Sequence, residues 1–311
     1  MTQWIAVALA IASAVCLAVG TQTQSTAVTG ETSGALNPRN LPALLRNGRW
    51  LLGTGLLALG MALNVSALAL ATVTVVQPIG VIALVITTLL HARHRRLTIN
   101  RRTWLAVALC TLGGAGFVVC AVSATDPTRH PDEGAQNVVV LMLLGLVVLI
   151  GITEVVLRRH RISMFYVIGA GVLYGFVAVL VRLTMTALTS GGLGAVNWLS
   201  VLMLLVAAVL GGWMVQCAYS SGPPDLVIAG LTVVDPMVGV ALGLLVLGEA
   251  GPGFTGGIAV GMGLAGVVAI VGVVLLSQFH PEVIQRRAAR RARSGTRDGG
   301  TGQQAASATE D

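Results

Sequence analysis

One acidic side chain of this sequence lies deep inside an apolar stretch. Asp235 comes about ten residues into the apolar run at residues 226–247. If that run crosses a bilayer as a helix, a charge at this depth costs from ~2.5 to more than ~10 kcal/mol unless it is paired or hydrated. Asp235 is therefore a candidate proton or cation site and a tentative metal ligand. The alternative is a protonated carboxyl that hydrogen-bonds a neighbouring helix and serves packing alone.

A second polar residue occupies the matching place in an earlier apolar run. Gln77 precedes Pro78 as Asp235 precedes Pro236. Proline removes a backbone donor and exposes a carbonyl one turn earlier, so both prolines are candidate helix interruptions. Gln77 could then face Asp235 across the molecule, or it could hold two helices together as a packing residue.

Two further amides precede these two runs at corresponding places. Asn64 and Gln216 could each offer an amide oxygen to a cation or a polar substrate. Interhelical hydrogen bonding is the equally consistent alternative, since amides also join helices in membranes.

Two charged residues complete the candidate set. Arg182 lies in the outer half of the run at 164–188, where it could extend to the surface, pair with Asp235, or bind an anionic group of a substrate. Glu154 lies four residues before Arg158, the first of a group of arginines, where a salt-bridged position at the membrane surface is favoured over a place in a pathway. Glu249 is expected to be a solvated loop residue.

The elements that would position these side chains follow from composition. The chain is 55% hydrophobic and 10% charged, whereas soluble domains carry about 25% charge. Apolar runs near the ~20 residues that span a bilayer must be helices, because backbone polar groups in lipid have to pair within the segment. We expect an all-α polytopic membrane protein with about nine such helices, at residues 4–20, 50–70, 72–90, 104–122, 138–156, 164–188, 198–218, 226–247 and 256–277.

The basic residues predict the orientation of these helices. All 19 are arginine, and 17 of them fall in gaps that share one side of the membrane: residues 21–49, 91–103, 157–163 and the tail. Only Arg129 lies on the other side, and Arg182 lies within a helix. Short arginine-rich loops stay in the cytoplasm, so we expect a plasma-membrane protein with its N-terminus outside and its C-terminus cytoplasmic. A cleaved signal peptide at 4–20 would invert this arrangement, and that run lacks the usual basic start.

The gaps themselves look polar and flexible. Residues 21–49 begin with a Ser/Thr/Gly-rich stretch, which we expect to be a loop. Residues 281–311 form a basic, partly disordered cytoplasmic tail that could contact anionic lipid headgroups. The glycine-rich face at 257–266 permits a homodimer without demanding one.

The sequence lacks the residue patterns that several classes of function require. The four cysteines lie inside apolar runs without CxxC spacing, and the five histidines lie outside the apolar centres. No nucleophile–base pairing or phosphate-binding glycine loop is present, so we expect neither an enzyme nor a cofactor. The net charge of +7 is spread over the gaps between helices, which argues against a nucleic-acid partner.

An internal duplication is indicated by two short matching segments. Residues 74–78 are TVVQP and residues 232–236 are TVVDP, and each is followed by a short polar gap and a glycine-rich helix. We expect repeat one at about 1–122, a connecting helix at about 138–156 and repeat two at about 164–277, together forming one transmembrane domain at 1–280. One connecting helix gives the two repeats opposite orientations, a hallmark of secondary transporters.

The order of residues in the first half resembles a known family. Trp50, Gly53, Gly60, Asn64, Ala67, Ala71, Val75, Pro78, Gly80, a basic loop and Gly113 resemble the NIPA-like magnesium transporter branch of the drug/metabolite transporter superfamily, and Leu247-Gly248-Glu249 is similar to the superfamily's L-G-E. The first half departs from it, with His91 and Arg93 where an acidic loop is usual.

The resemblance implies alternating-access transport of a small solute. Mg²⁺ or another divalent cation is the substrate it suggests, and an organic metabolite, drug or lipid-linked precursor is the alternative. Asp235 would be the proton or cation site, with Gln77, Asn64 and Gln216 lining it. The alternative from a different functional class is a membrane scaffold subunit that transports nothing.

Overall fold

The computed structural model describes residues 2–31, 41–70, 100–125, 133–156 and 163–279, and the isolated positions 86, 88–90 and 93. These residues form α-helices and short connections. Within these ranges β structure is limited to an isolated bridge between Thr125 and Ala250. The predictions for Gln77, Pro78 and the 74–78 segment, and those for the tail, concern residues outside the described ranges.

Nine α-helices and a 3-10 helix (Gly192–Ala195) are described, and we number the α-helices in chain order. They are α1 (Thr2–Glu31), α2 (Leu41–Arg46), α3 (Gly48–Leu70), α4 (Arg101–Ala124), α5 (Glu133–Val156), α6 (Ser163–Gly191), α7 (Trp198–Ser221), α8 (Pro224–Leu245) and α9 (Gly256–Phe279). Side chains fix several starts: Asn100 accepts from the Thr103 N–H, Asn197 accepts from the Leu199 and Ser200 N–H groups, and a proline opens α8.

Seven helices of the described part are long and apolar enough to cross a membrane: α1 from Ala8 to Gly30, and α4 to α9 over most or all of their lengths. Many large apolar side chains point out of the bundle, among them Leu141, Val209 and Leu245, each at least 70% exposed. A bilayer rather than water must therefore surround the bundle. The expectation of an all-α multi-pass membrane protein is confirmed at this level, and the count of nine spans and the repeat stay predictions.

The first helix differs from its prediction. The polar stretch from Thr21 onward was expected to be a loop, but α1 continues to Glu31 and its span lies at Ala8–Gly30. The hydroxyls of Thr23, Thr26 and Thr29 bond carbonyls one turn back on the same helix, and Gln24 is buried against α3. These polar side chains face other helices instead of lipid, so they do not end the helix.

Contacts between helices give their relative directions. Ser163 and Val167 on α6 meet α7 near its end, at Gly222, and α8 near its start, at Gly230. Hydrogen bonds and close packing between the other helices show the same pattern. The starts of α3, α4, α6 and α8 lie at one end of the bundle, and the ends of α1, α5, α7 and α9 lie at that same end. We call this end the basic end, because the exposed Arg46, Arg49, Arg101 and Arg102 lie there. The start of α1 and the end of α9 lie at opposite ends of the bundle.

Three groups of helices pack tightly within themselves. In the α1/α3 pair, a Cβ on Gly53 would come within 2.9 Å of the Gly20 carbonyl oxygen. In the α4/α9 pair, a Cβ on Gly113 would come 2.5 Å from the Ala269 backbone nitrogen. In the third group, α6 packs on both α7 and α8. Among the described helices, contacts between these groups are fewer than contacts inside them.

Candidate functional site

Asp235 lies in the middle of α8, as the twelfth of its 22 residues. Its backbone sits against two glycines of α6: a Cβ on Gly175 would come 3.0 Å from the Asp235 carbonyl oxygen, and one on Gly171 would come 3.6 Å from its nitrogen. The side chain is half-buried. The structure thus places Asp235 near the middle of α8, at the crossing of α6 and α8.

The helix carrying Asp235 is continuous. An interruption at Pro236 was expected, but α8 runs through it from Pro224 to Leu245. Proline at 236 still lacks the N–H that would bond the Thr232 carbonyl, so a backbone acceptor is left without its usual partner one turn before Asp235. The prediction of an interruption at Pro236 was therefore wrong. α8 packs closely on α6 both before and after the proline, through Val234 and Val238.

Tyr174 lies on α6 one residue before Gly175, and so near the level of Asp235. Its ring lies against Gly211 and Gly212 of α7, where an added Cβ would come within 3.3 Å and 3.8 Å of ring or hydroxyl atoms. A phenol on α6 and a carboxylate on α8 thus lie at similar levels of the group in which α6 packs on both α7 and α8. A carboxylate and a phenol can offer a negative charge, a hydroxyl donor and an aromatic face to a small solute or cation.

Gln216 lies elsewhere, near the basic end of α7. It is 9% exposed, and its side-chain oxygen accepts from the indole N–H of Trp50 at 3.2 Å. This bond joins α7 to α3. The interhelical hydrogen bond that was the alternative for Gln216 is present, and Trp50 packs partly inside the bundle.

Two more polar side chains are buried near this level of the bundle. Tyr219, one turn after Gln216 on α7, is 2% exposed, and Thr21 of α1 is 3% exposed. Both therefore lie inside the described part of the bundle and not on its lipid-facing surface.

Arg182 pairs with Glu249 and not with Asp235. One guanidinium nitrogen lies 2.7 Å from Glu249 Oε2, where the arginine side chain is 43% exposed and the glutamate 3%. Glu249 was expected to be a solvated loop residue, and that was wrong. The turn after α8 uses Gly248 at φ +65° and a bond from the Glu249 N–H to the Gly243 carbonyl, which folds the carboxylate back into the bundle.

The remaining candidates lie apart from Asp235. Glu154 accepts from the Tyr166 hydroxyl at 3.1 Å and joins the end of α5 to the start of α6. Asn64 is half-buried on α3, 14 residues from Trp50, which corresponds to about 21 Å along a helix. The structure therefore does not bring Asn64 and Gln216 to one level of the bundle.

The acidic and metal-ligating residues of the described part do not cluster. No group of three or more His, Cys, Asp or Glu side chains in these ranges could hold a metal ion.

Sequence reasoning missed Tyr174, Tyr219 and the acidic partner of Arg182. A tyrosine in an apolar run is ordinary in sequence, and its meaning comes from what faces it. The available pattern was the glycine pair Gly211-Gly212, which leaves room on α7 for one large ring.

The chain has an extended similarity to a known protein. The chain is 28% identical over 280 residues to an uncharacterized protein of Corynebacterium glutamicum, covering 88% of this chain and 95% of that protein. No family model matches the chain, and no solved structure matches it.

Proposed function

We propose that this chain is an integral membrane secondary transporter that moves a small solute by alternating access, with Asp235 as its proton or cation site. The observation that carries the proposal is the half-buried carboxylate in the middle of α8, at its crossing with α6. An ionisable group at the midplane is expensive and is a functional candidate by default.

The arrangement of helices also supports the proposed transport function. Transporters built from inverted repeats place their sites near the midplane where the repeats meet. The glycine-rich helices that end the two predicted repeats, α4 and α9, pack against each other in antiparallel directions, through Gly113 and Ala269 and through Cys110 and Gly272. Antiparallel partners are what two oppositely inserted repeats would provide.

The orientation is part of the proposal. The exposed arginines at the starts of α3 and α4 favour the cytoplasm for the basic end. The plasma membrane is the proposed location, with the start of α1 outside and the end of α9 inside.

For the substrate, the resemblance suggests Mg²⁺, and the site favours a polar organic solute at least as strongly. Mg²⁺ usually keeps several waters and takes one or two carboxylates, so Asp235 alone is a lean site for it. A carboxylate beside a tyrosine ring suits a solute that carries both a hydrogen-bonding group and a positive charge.

Flux in proteoliposomes tests the proposal. Vesicles containing the protein receive Mg²⁺ in one arm, read by a trapped Mg²⁺ indicator. In the other arm they receive a defined mixture of amino acids, nucleosides and polyamines, read by mass spectrometry of the vesicle contents. Each arm is run with and without a pH gradient.

The matched variants are Asp235→Asn and Thr232→Val. Thr232 lies one turn earlier on an exposed face of α8, so its loss should leave flux unchanged. We expect protein-dependent movement in one arm that Asp235→Asn abolishes and Thr232→Val retains. Equal flux in wild type and Asp235→Asn would contradict the assigned site. If no solute moved in either arm, the proposed transport function would be contradicted and a scaffold subunit would be favoured.

A further inference from the structure

Two lipid-facing stripes of the bundle begin with an arginine at the basic end. On α4, Arg101, Trp104 and Leu105 are spaced to lie on one face, and all three side chains are exposed, Trp104 by 40% and Leu105 by 56%. On α3, the exposed Arg49 is followed three residues later by Leu52, which is 60% exposed. A lipid that covers such a stripe has its acyl chains against the apolar side chains and its headgroup at the level of the arginine.

The four exposed arginines that define the basic end have no acidic partner among the described residues. Within these ranges, none of them forms an ion pair. Two acids at this end have described side chains, and neither is exposed: Glu154 is half-buried and accepts from the Tyr166 hydroxyl, and Asp225 is completely buried. The counter-charge for these guanidinium groups must therefore come largely from outside the described bundle.

The opposite end of the bundle differs in this respect. Its exposed arginine in the described ranges is Arg182, and Glu249 neutralises that guanidinium at 2.7 Å. The lipid-facing start of α7, where Trp198 is 66% and Leu199 is 54% exposed, carries no arginine. An exposed, uncompensated positive charge is therefore a property of the basic end of the described bundle.

One of the basic-end arginines is restrained by packing. The Arg102 guanidinium carbon lies 5.0 Å from the centroid of the Phe279 ring, within the range of a cation–π contact. The Asn100 amide donates to the Phe279 carbonyl at 3.3 Å, so the start of α4 is joined to the last turn of α9. An arginine held on a helix pair loses less side-chain freedom on binding a phosphate than one on a mobile segment.

We infer that the basic end is a binding surface for anionic phospholipid headgroups, and that Arg101 and Arg102 contact the headgroup of a lipid whose acyl chains lie along Trp104 and Leu105. Arginine suits this partner, because its planar guanidinium can donate two parallel hydrogen bonds to a phosphate. The inference does not depend on transport, since it needs only a bilayer around the bundle and exposed arginines at one end.

The chain carries a reporter for each end in its tryptophans. Two single-tryptophan proteins keep either Trp104 or Trp198, with the other four tryptophans changed to phenylalanine. Each is reconstituted in mixtures of brominated phosphatidylglycerol and phosphatidylcholine, and bromine quenching of the fluorescence gives the binding constant of the anionic lipid relative to the zwitterionic one. One arginine near an anionic surface changes such a constant by about fivefold. We expect a ratio of about five or more at Trp104 and about one at Trp198.

The test variant is Arg101→Gln/Arg102→Gln, and Arg101→Lys/Arg102→Lys is its charge-retaining control. The glutamine variant should lower the ratio at Trp104 to about two or less, and the lysine variant should keep most of it, because the attraction is mainly one of charge. Neither variant should change the ratio at Trp198.

Three results would overturn the inference. They are equal ratios at Trp104 and Trp198, a ratio at Trp104 that the glutamine variant leaves unchanged, and an equal loss in the glutamine and lysine variants. Absence of any preference at Trp104 would leave an acidic protein partner as the occupant of this surface. If the single-tryptophan proteins do not fold, mass spectrometry of lipid retained from an equal mixture by wild type and by Arg101→Gln/Arg102→Gln makes the same comparison, and equal retention of phosphatidylglycerol would reject the surface.

Discussion

The ion pair between Arg182 and Glu249 should respond very differently to loss of either partner. Arg182→Met removes the charge and keeps the aliphatic stem, which leaves a carboxylate that is 3% exposed without its partner. Loss of one member of a buried pair costs ~3–5 kcal/mol of unfolding free energy. Because the arginine is 43% exposed, we take the lower end of this range and expect Arg182→Met to cost about 3 kcal/mol.

Glu249→Gln should cost much less. It leaves an arginine that is 43% exposed and can be hydrated, so we expect at most about 1 kcal/mol.

The assay is reversible unfolding in mixed detergent and SDS micelles, followed by circular dichroism. The double variant Arg182→Met/Glu249→Gln should recover most of the loss, because no buried charge then remains. Equal costs for the two single variants, or a double variant as unstable as Arg182→Met, would refute the reasoning.

Two further predictions concern helix packing and one hydrogen bond between helices. Gly113→Ala should destabilise the protein by about 1–3 kcal/mol, because its Cβ would meet the Ala269 backbone, whereas Gly114→Ala has open space and should be neutral or slightly stabilising in the same unfolding assay. Tyr166→Phe should cost about 1–2 kcal/mol by removing the hydrogen bond to Glu154, and Phe165→Leu on the same turn serves as its control for changes in ring packing. An equal effect at Gly113 and Gly114 would contradict the tight α4/α9 seam.

Most helix positions could be predicted from the sequence because a bilayer imposes a length. The runs predicted at 198–218 and 256–277 differ from α7 and α9 by a few residues at most. The prediction was wrong at α1, because a stretch of Thr, Gln and Ser residues is typical of a loop. Only the facing helices α3 and α7 show that these side chains have partners inside the membrane.

The candidate site was predictable to a lesser degree. Asp235 stands out because acids are rare at the midplane, and its position in α8 agrees with that prediction. Glu249 was misjudged because the turn at Gly248 reverses the chain, and sequence alone does not tell which way the next side chain points. Tyr174 depends on a contact between helices that are distant in sequence, which spacing within one helix cannot show.

Whether water reaches Asp235 is the most direct test of a transport site. Asp235→Cys, in a background without the four native cysteines, is treated with a small cationic methanethiosulfonate, with Val209→Cys on the exposed face of α7 as the lipid-facing control. We expect the thiol at 235 to react from the aqueous phase and the thiol at 209 not to react. If position 235 were as unreactive as position 209, Asp235 would be a packing residue, which would contradict its assignment as a transport site.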